Sequence, residues 1–131
     1  MTSFDRPAAK WTMVAGWMAV NITLSHQPRA PVPHIPGFDK ALHLVEYAIL
    51  AFLLARAVFP AVRGRSPATR WTLMVLACFL YGIVDETHQA FVPGRSCDPV
   101  DAVADAAGGL VVAIACLALR RRPWIRRLGV D

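Results

Sequence analysis

Four long apolar stretches, at residues 8–25, 41–59, 71–84 and 100–119, constrain the fold of this 131-residue chain more than any other feature. A helix needs roughly 20 mostly apolar residues to cross a membrane. The second and fourth stretches reach that length, whereas the first is short, and so is the third, which extends to residue 91 if its polar end is included. Hydrophobic residues are 56% of the chain and charged residues 18%, which argues against a disordered chain or a large soluble enzyme. The pattern predicts an all-α, four-helix transmembrane bundle with short loops.

The sequence argues against two other interpretations of these stretches. A soluble four-helix bundle would give each helix a polar face, but residues 73–80 and 113–119 show almost none. The first stretch has the basic start of a signal peptide, but no small-x-small cleavage site follows it. We therefore expect one membrane domain over residues 1–131. The chain has three cysteines, which are too few for a disulfide framework or a four-cysteine zinc site.

The basic residues predict the orientation of the bundle. Eleven of the 14 Lys and Arg residues would fall on one side of a four-span topology, namely Arg6, Lys10, Arg56, Arg63, Arg65, Arg70, Arg120, Arg121, Arg122, Arg126 and Arg127. By the positive-inside rule, both termini are expected in the cytoplasm. The basic runs are short and lack interleaved stacking aromatics, so no nucleic-acid partner is expected.

The acidic residues gather on the other side. Seven of the nine lie near the outer ends of the second, third and fourth helices: Asp39, Glu46, Asp85, Glu86, Asp98, Asp101 and Asp105. Polar residues recur every three or four positions there, which places them on one face of each helix. Lipid cannot satisfy such groups, so we expect the three polar stripes to face one another. Arg95 is the cation expected to bridge two carboxylates. Asp39 and Asp98 are predicted helix N-caps.

Three motifs carry a resemblance to a known family. They are Phe38-Asp39-Lys40-x-x-His43-x-x-x-Tyr47, Asp85-Glu86-x-x-Gln89-x-Phe91-x-Pro93-Gly94-Arg95-Ser96 and Asp98-x-x-Asp101-x-x-x-Asp105-x-x-Gly108. In order and spacing, residues 38–109 resemble the VanZ-like family of small bacterial membrane proteins, which is named for a teicoplanin-resistance accessory protein. The resemblance implies a multi-pass protein of the bacterial plasma membrane. It also implies a link to glycopeptide tolerance and to the cell envelope.

These residues support more than one function. In the first hypothesis, the outward-facing cluster binds a cell-envelope or lipid-linked head group, with a lipid-linked cell-wall precursor or a glycopeptide as partner beside the membrane lipids. The candidate ligand-binding residues are Asp39, Lys40, His43, Glu46, Tyr47, Asp85, Glu86, Gln89, Arg95, Asp98, Asp101 and Asp105. The second hypothesis is an intramembrane acid/base enzyme, in which Asp39 or Glu46 orients His43. The third is a structural protein whose buried ion pairs only fix helix packing.

Two further options stay open. Transport or proton relay would need an oligomer, because four short helices leave little room for a pathway in one chain. A metal site at His43 and Glu46, joined by Glu86 or His88, rests on the weak H-x-x-E spacing. We therefore expect no metal and no cofactor.

Overall fold

The computed structural model describes residues 6–27 and 37–130, and within them the chain is helical and has no strand. The helices are α1 (Pro7–Ser25), α2 (Phe38–Val58), α3 (Pro67–Gln89), α4 (Pro99–Leu119) and α5 (Pro123–Leu128), with a 3-10 turn at Phe59–Val62 after α2. The first four match the predicted apolar stretches, so the all-α class is confirmed. The sequence also predicts an extended, proline-rich loop over residues 27–38, of which residues 28–36 lie outside the described part of the chain.

Proline and capping residues set most of the helix ends. All the α-helices except α2 begin with proline at their first position, where its missing N–H costs nothing. Asp98 caps α4 as predicted, since its carboxylate accepts a hydrogen bond from the Val100 N–H. The predicted cap at Asp39 is wrong. Gly37 holds that position with a φ of 78°, a left-handed conformation that glycine adopts without strain, and Asp39 lies in the first turn.

The helices alternate in direction. Lys40 contacts Asp101, and Leu44 lies against Gly108. Residue numbers therefore rise together along α2 and α4, and these two helices run parallel. The helix α3, whose Gly82 lies against Asp105, runs in the opposite direction. We call the end formed by the starts of α2 and α4 and the ends of α1 and α3 the polar end. The opposite end, where the arginine-rich segments lie, is the basic end.

Three helical segments are long and apolar enough to cross a membrane: Phe38–Val62, Pro67–Gln89 and Pro99–Leu119. The helix α1 is not among them. Many large apolar side chains point outward, as lipid contact requires, including Leu80, Val103 and Ile114. The coarser prediction, an all-helical protein with helices long and apolar enough to cross a membrane, is confirmed.

The core at the basic end is apolar. Phe59 and Trp71 pack edge to face with ring centroids 5.0 Å apart, and Met74 and Ala55 join them. The short helix α5 was not predicted, because six residues give no readable periodicity. It lies against this core, where its Ile125 is buried.

Small residues let α4 approach its neighbours closely, as their helical spacing predicts. At Gly108 a Cβ atom would overlap the backbone of α2 at Leu44, and at Gly109 it would touch Cys78 of α3. The starts of α2 and α4, which carry the acidic residues, are therefore held within side-chain reach of each other.

Candidate functional site

Polar side chains of α2, α3 and α4 meet at the polar end, as the three predicted stripes require. We define the polar cluster as Lys40, His43, Asp85, Glu86, Gln89, Asp98, Asp101 and Asp105. All but Lys40 and Asp98 are buried, and these two lie at the half-exposed rim.

Lys40 is the cation that joins α2 to α4. Its Nζ donates to Asp98 Oδ2 at 2.9 Å, to Asp101 Oδ1 at 2.9 Å and to Asp39 Oδ2 at 3.3 Å. The hydrogen bond from Lys40 lowers the pKa of Asp98, which lies outside the apolar spans. The rim therefore combines one ammonium group with several carboxylates.

The predicted bridge from Arg95 to two carboxylates is wrong. Its guanidinium donates to the carbonyl oxygens of Leu24 at 2.9 Å and Gln27 at 3.0 Å, and to Gln89 Oε1 at 3.4 Å. The carbonyls at the end of a helix lack partners within it, and Arg95 lies beside the end of α1. It therefore holds α1 against the bundle.

His43 and Asp105 form a buried polar pair. His43 Nδ1 lies 2.9 Å from Asp105 Oδ1, and Asp105 is fully buried. Gly82 makes room for this carboxylate, since a Cβ there would overlap Asp105 Oδ2. On the other side of the ring, His43 Nε2 lies 3.9 Å from both Glu86 Oε1 and Asp101 Oδ2.

The two acids of α3 have different partners. Asp85 Oδ2 accepts hydrogen bonds from Ser25 Oγ at 2.9 Å and from Gln89 Nε2 at 3.1 Å. Glu86 Oε2 accepts from the Asp98 N–H at 2.7 Å and so positions the start of α4. Asp85 thereby ties α1 to α3, and Glu86 ties α3 to α4.

Several buried polar atoms of this half have no hydrogen-bond partner among the described residues. They are Glu86 Oε1, Asp105 Oδ2, the Tyr47 and Tyr81 hydroxyls and both side-chain amide atoms of Asn21. Buried polar groups in proteins are nearly always paired. The cluster therefore holds hydrogen-bonding capacity that the described part of the chain does not use.

Comparison with known families identifies the chain. A sequence model described as VanZ/LLP1 matches residues 4–120. The chain belongs to the VanZ/LLP1 family. No curated protein and no solved structure matches it. Together, family membership and the three apolar segments of spanning length indicate a membrane protein. The family match also covers α1, which lies outside the motifs at residues 38–109.

In this VanZ/LLP1 chain, four of the predicted site residues lie outside the polar cluster as defined: Arg95, described above, and Asp39, Glu46 and Tyr47. Glu46 is half-buried, and its side chain makes none of the cluster's hydrogen bonds or ion pairs. Tyr47 is fully buried, with its ring 5.8 Å from Tyr81 and stacked 6.5 Å from His43. Among the contacts described above, Asp39 is linked to the cluster by the hydrogen bond that it accepts from Lys40.

The sequence interpretation missed the contribution of α1 to the site. Ser25 binds Asp85, and Trp17 Nε1 donates to the Glu46 carbonyl at 2.9 Å. A signal was present, because Asn21 and Ser25 are polar residues four apart on an otherwise apolar helix and both are buried.

The weakly predicted metal set is also different in the structure. His43 and Glu86 do lie together, but Asp85 is the third residue, and the ligand-capable atoms of these three lie within 4.8 Å of one another. His88 instead faces His26 at 3.2 Å.

Proposed function

We propose that this membrane protein binds the polar head group of a lipid-linked cell-envelope molecule in its polar cluster, at the outer face of the bacterial plasma membrane. One observation carries the proposal: buried carboxylates from α3 and α4 gather at one level beside a half-exposed Lys40. Ionisable groups at membrane depth are costly and are usually retained for function.

The chemistry of the cluster suits a head group that carries both hydroxyl and anionic groups. Carboxylates are strong acceptors for sugar hydroxyls and amide N–H groups. Lys40 supplies a positive charge at the rim for a phosphate. The unpartnered Glu86 Oε1 and Asp105 Oδ2 could accept further hydrogen bonds.

An apolar groove supports the lipid part of the proposal. It lies between α3 and α4, has a volume of about 530 Å³ and extends from Ala106, the residue after Asp105, to Ala68 near the basic end. Its walls include Phe79, Leu110 and Leu117. A hydrocarbon chain lying in this groove would have its head group at the level of the polar cluster.

The outward orientation rests on the basic end, which carries eleven Lys and Arg residues and is expected inside. We propose that α1 is a fourth span, so that both termini are cytoplasmic. Ser25 and Trp17 hold α1 against α3 and α2, while Ile22 and Leu24 stay exposed on its outer surface.

Cysteine labelling in intact cells tests this orientation. Native Cys97 is exposed at the polar end and is expected to react with a membrane-impermeant maleimide. In a Cys97→Ser background, Gly64→Cys at the basic end is expected to react only after permeabilisation, and Gly64 has room for a side chain. The reverse labelling pattern would overturn the orientation.

Thermal unfolding in detergent tests the binding. We compare wild type with Glu86→Gln and Asp101→Asn, with and without lipid-linked cell-wall precursor. Stabilisation of wild type alone, with variants that melt like wild type in the absence of lipid, supports a binding site. Variants that melt well below wild type, with no response of wild type to lipid, would show that the cluster is a packing network.

The family resemblance implies a link to glycopeptide tolerance. Measuring the teicoplanin susceptibility of cells with and without the protein tests this link.

The His43–Asp105 pair favours a second candidate, an acid/base enzyme acting on a lipid-linked substrate. A carboxylate that holds one imidazole nitrogen leaves the other free to take a proton. Mass spectrometry of the precursor after incubation separates the two candidates. A modified lipid that forms with wild type, and not with His43→Gln, would indicate an enzyme.

A further inference from the structure

We propose that His43, Asp85 and Glu86 form a binding site for a divalent metal ion of the Zn²⁺ or Mn²⁺ type. All three side chains are buried, and each offers a ligand atom within 4.8 Å of the others. The site uses Glu86 Oε1, one of the two free acceptors offered above to a head group, but it is argued from the metal ligands alone and does not rest on the function proposed above.

The Glu86 carboxylate gives independent support. Its side chain is only 3% exposed, and its Oε1 has no hydrogen-bond partner among the described residues. That atom points at His43 Nε2, 3.9 Å away. The separation is too long for a hydrogen bond. It is short enough for both atoms to bind one ion, because each metal–ligand bond measures about 2.0–2.2 Å.

The partner of His43 prepares its ring for metal binding. With the Nδ1–H donating to Asp105 at 2.9 Å, Nε2 carries the lone pair that a metal ion needs. A carboxylate behind a ligating histidine is the usual second layer of such sites. Asp101 Oδ2 also lies 3.9 Å from Nε2, but Asp101 is not one of the three residues whose ligand atoms lie together, and its Oδ1 accepts from Lys40.

The set of donors decides the class of ion. Imidazole nitrogen favours transition metals, whereas Ca²⁺ prefers six to eight oxygen ligands. One imidazole with two carboxylates therefore fits Zn²⁺ or Mn²⁺. The ion would also neutralise negative charge on the buried Asp85 and Glu86.

The test uses the metal alone, with the full chain in detergent. Protein stripped with a chelator is equilibrated with Zn²⁺ or Mn²⁺ and dialysed, and the bound metal is then counted by mass spectrometry. We expect one ion per chain in wild type and little or none in His43→Gln and Glu86→Gln. Asp105→Asn, which leaves the ligands intact, is expected to weaken affinity by about 10–100-fold.

Two control variants remove similar groups nearby. Glu46→Gln removes a carboxylate on the same helix as His43, and His88→Gln removes an imidazole at the same end of α3. Both are expected to bind metal like wild type. If either loses as much metal as His43→Gln, or if wild type binds none at micromolar free metal, the proposal fails.

X-ray absorption of wild type loaded with Zn²⁺ keeps the proposal testable even if the variants do not fold. We expect one imidazole, oxygen ligands and no sulphur around the ion. Two imidazoles would instead assign the metal to the pair of His26 and His88 and would overturn the site. Because these metal-binding experiments contain no lipid, a negative result would leave the head-group proposal intact. A negative result in the lipid experiment would likewise leave the metal site intact.

Discussion

At the basic end the rings of Phe59 and Trp71 meet edge to face, whereas at the polar end His43 and Asp105 meet through a hydrogen bond. The same helices supply both halves of the bundle. Apolar contacts tolerate substitutions that keep their volume, but a buried hydrogen bond needs one specific partner. Packing at the basic end can therefore hold the helices together, whereas the hydrogen bonds at the polar end fix which residues face each other.

The largest expected loss comes from the apolar half. Trp71→Ala removes a side chain that is 2% exposed, and the resulting cavity is expected to lower the free energy of unfolding by about 3–5 kcal/mol. Trp11→Ala, at the same end but 51% exposed, is the matched control and should change it by less than about 0.5 kcal/mol. Equal effects in reversible unfolding in detergent would show that this core does not hold the bundle.

The close approach of α2 and α4 connects the two halves. Gly108→Ala is expected to cost about 1–3 kcal/mol, because its Cβ would overlap backbone atoms that cannot rotate away. Gly16→Ala in α1, with nothing within 4 Å, is expected to be neutral or stabilising, as alanine favours helices. A thermal midpoint unchanged by Gly108→Ala would mean that the helices are farther apart than described.

A double-mutant cycle measures the buried pair of the polar end. His43→Ala and Asp105→Ala should each cost about 1–3 kcal/mol, because each leaves the other group buried and unpaired. Together they should cost less than the sum, by about 0.5–3 kcal/mol. Asp105→Ala combined with His26→Ala, an exposed histidine, should be additive. If the effects are additive in both cycles, His43 and Asp105 do not interact at the polar end.

The attachment of α1 is weaker. Ser25→Ala removes its hydrogen bond to Asp85 and is expected to cost about 1 kcal/mol. It should also make α1 easier to cleave by protease. Thr23→Ala removes a hydroxyl that bonds only within α1, to the Ala19 carbonyl, and is expected to have no such effect. Equal cleavage of the two variants would show that Ser25 does not hold α1.

The long helices could be predicted because the length of an apolar stretch decides whether it can cross a membrane. The facing of the polar stripes could be predicted too, since helical spacing sets the face on which a side chain lies. The site includes α1 as well, and the polar spacing of Asn21 and Ser25 was the signal for it. Neither the family resemblance nor the apolar pattern pointed to α5, whose Ile125 is buried only by tertiary contact.

The partners of individual charges could not be predicted. Arg95 was expected to bridge carboxylates, but its loop lies beside the end of α1, where the carbonyl oxygens of Leu24 and Gln27 compete for it. Lys40 lies one turn before His43 and faces the start of α4, so it takes the role instead. Which cation reaches which acid depends on loop paths and side-chain lengths, and helical spacing encodes neither.

The smallest expected effect is at the rim. Lys40 lowers the pKa of Asp98 below its ordinary value of 3.8. A carboxyl with a lowered folded-state pKa stabilises the protein above its unfolded-state pKa, and this stabilisation is lost as the pH falls through the folded value. Asp98→Asn keeps the helix cap but loses the charge, so it should melt slightly below wild type at neutral pH. The difference should shrink as the pH falls below 3.8 and vanish once Asp98 is protonated in the folded state, and it should shrink in high salt, because the pair is half-exposed. A difference that persists at a pH low enough to protonate Asp98 would mean that Asp98 acts only as a cap, and the polar end would then rest on its buried groups alone.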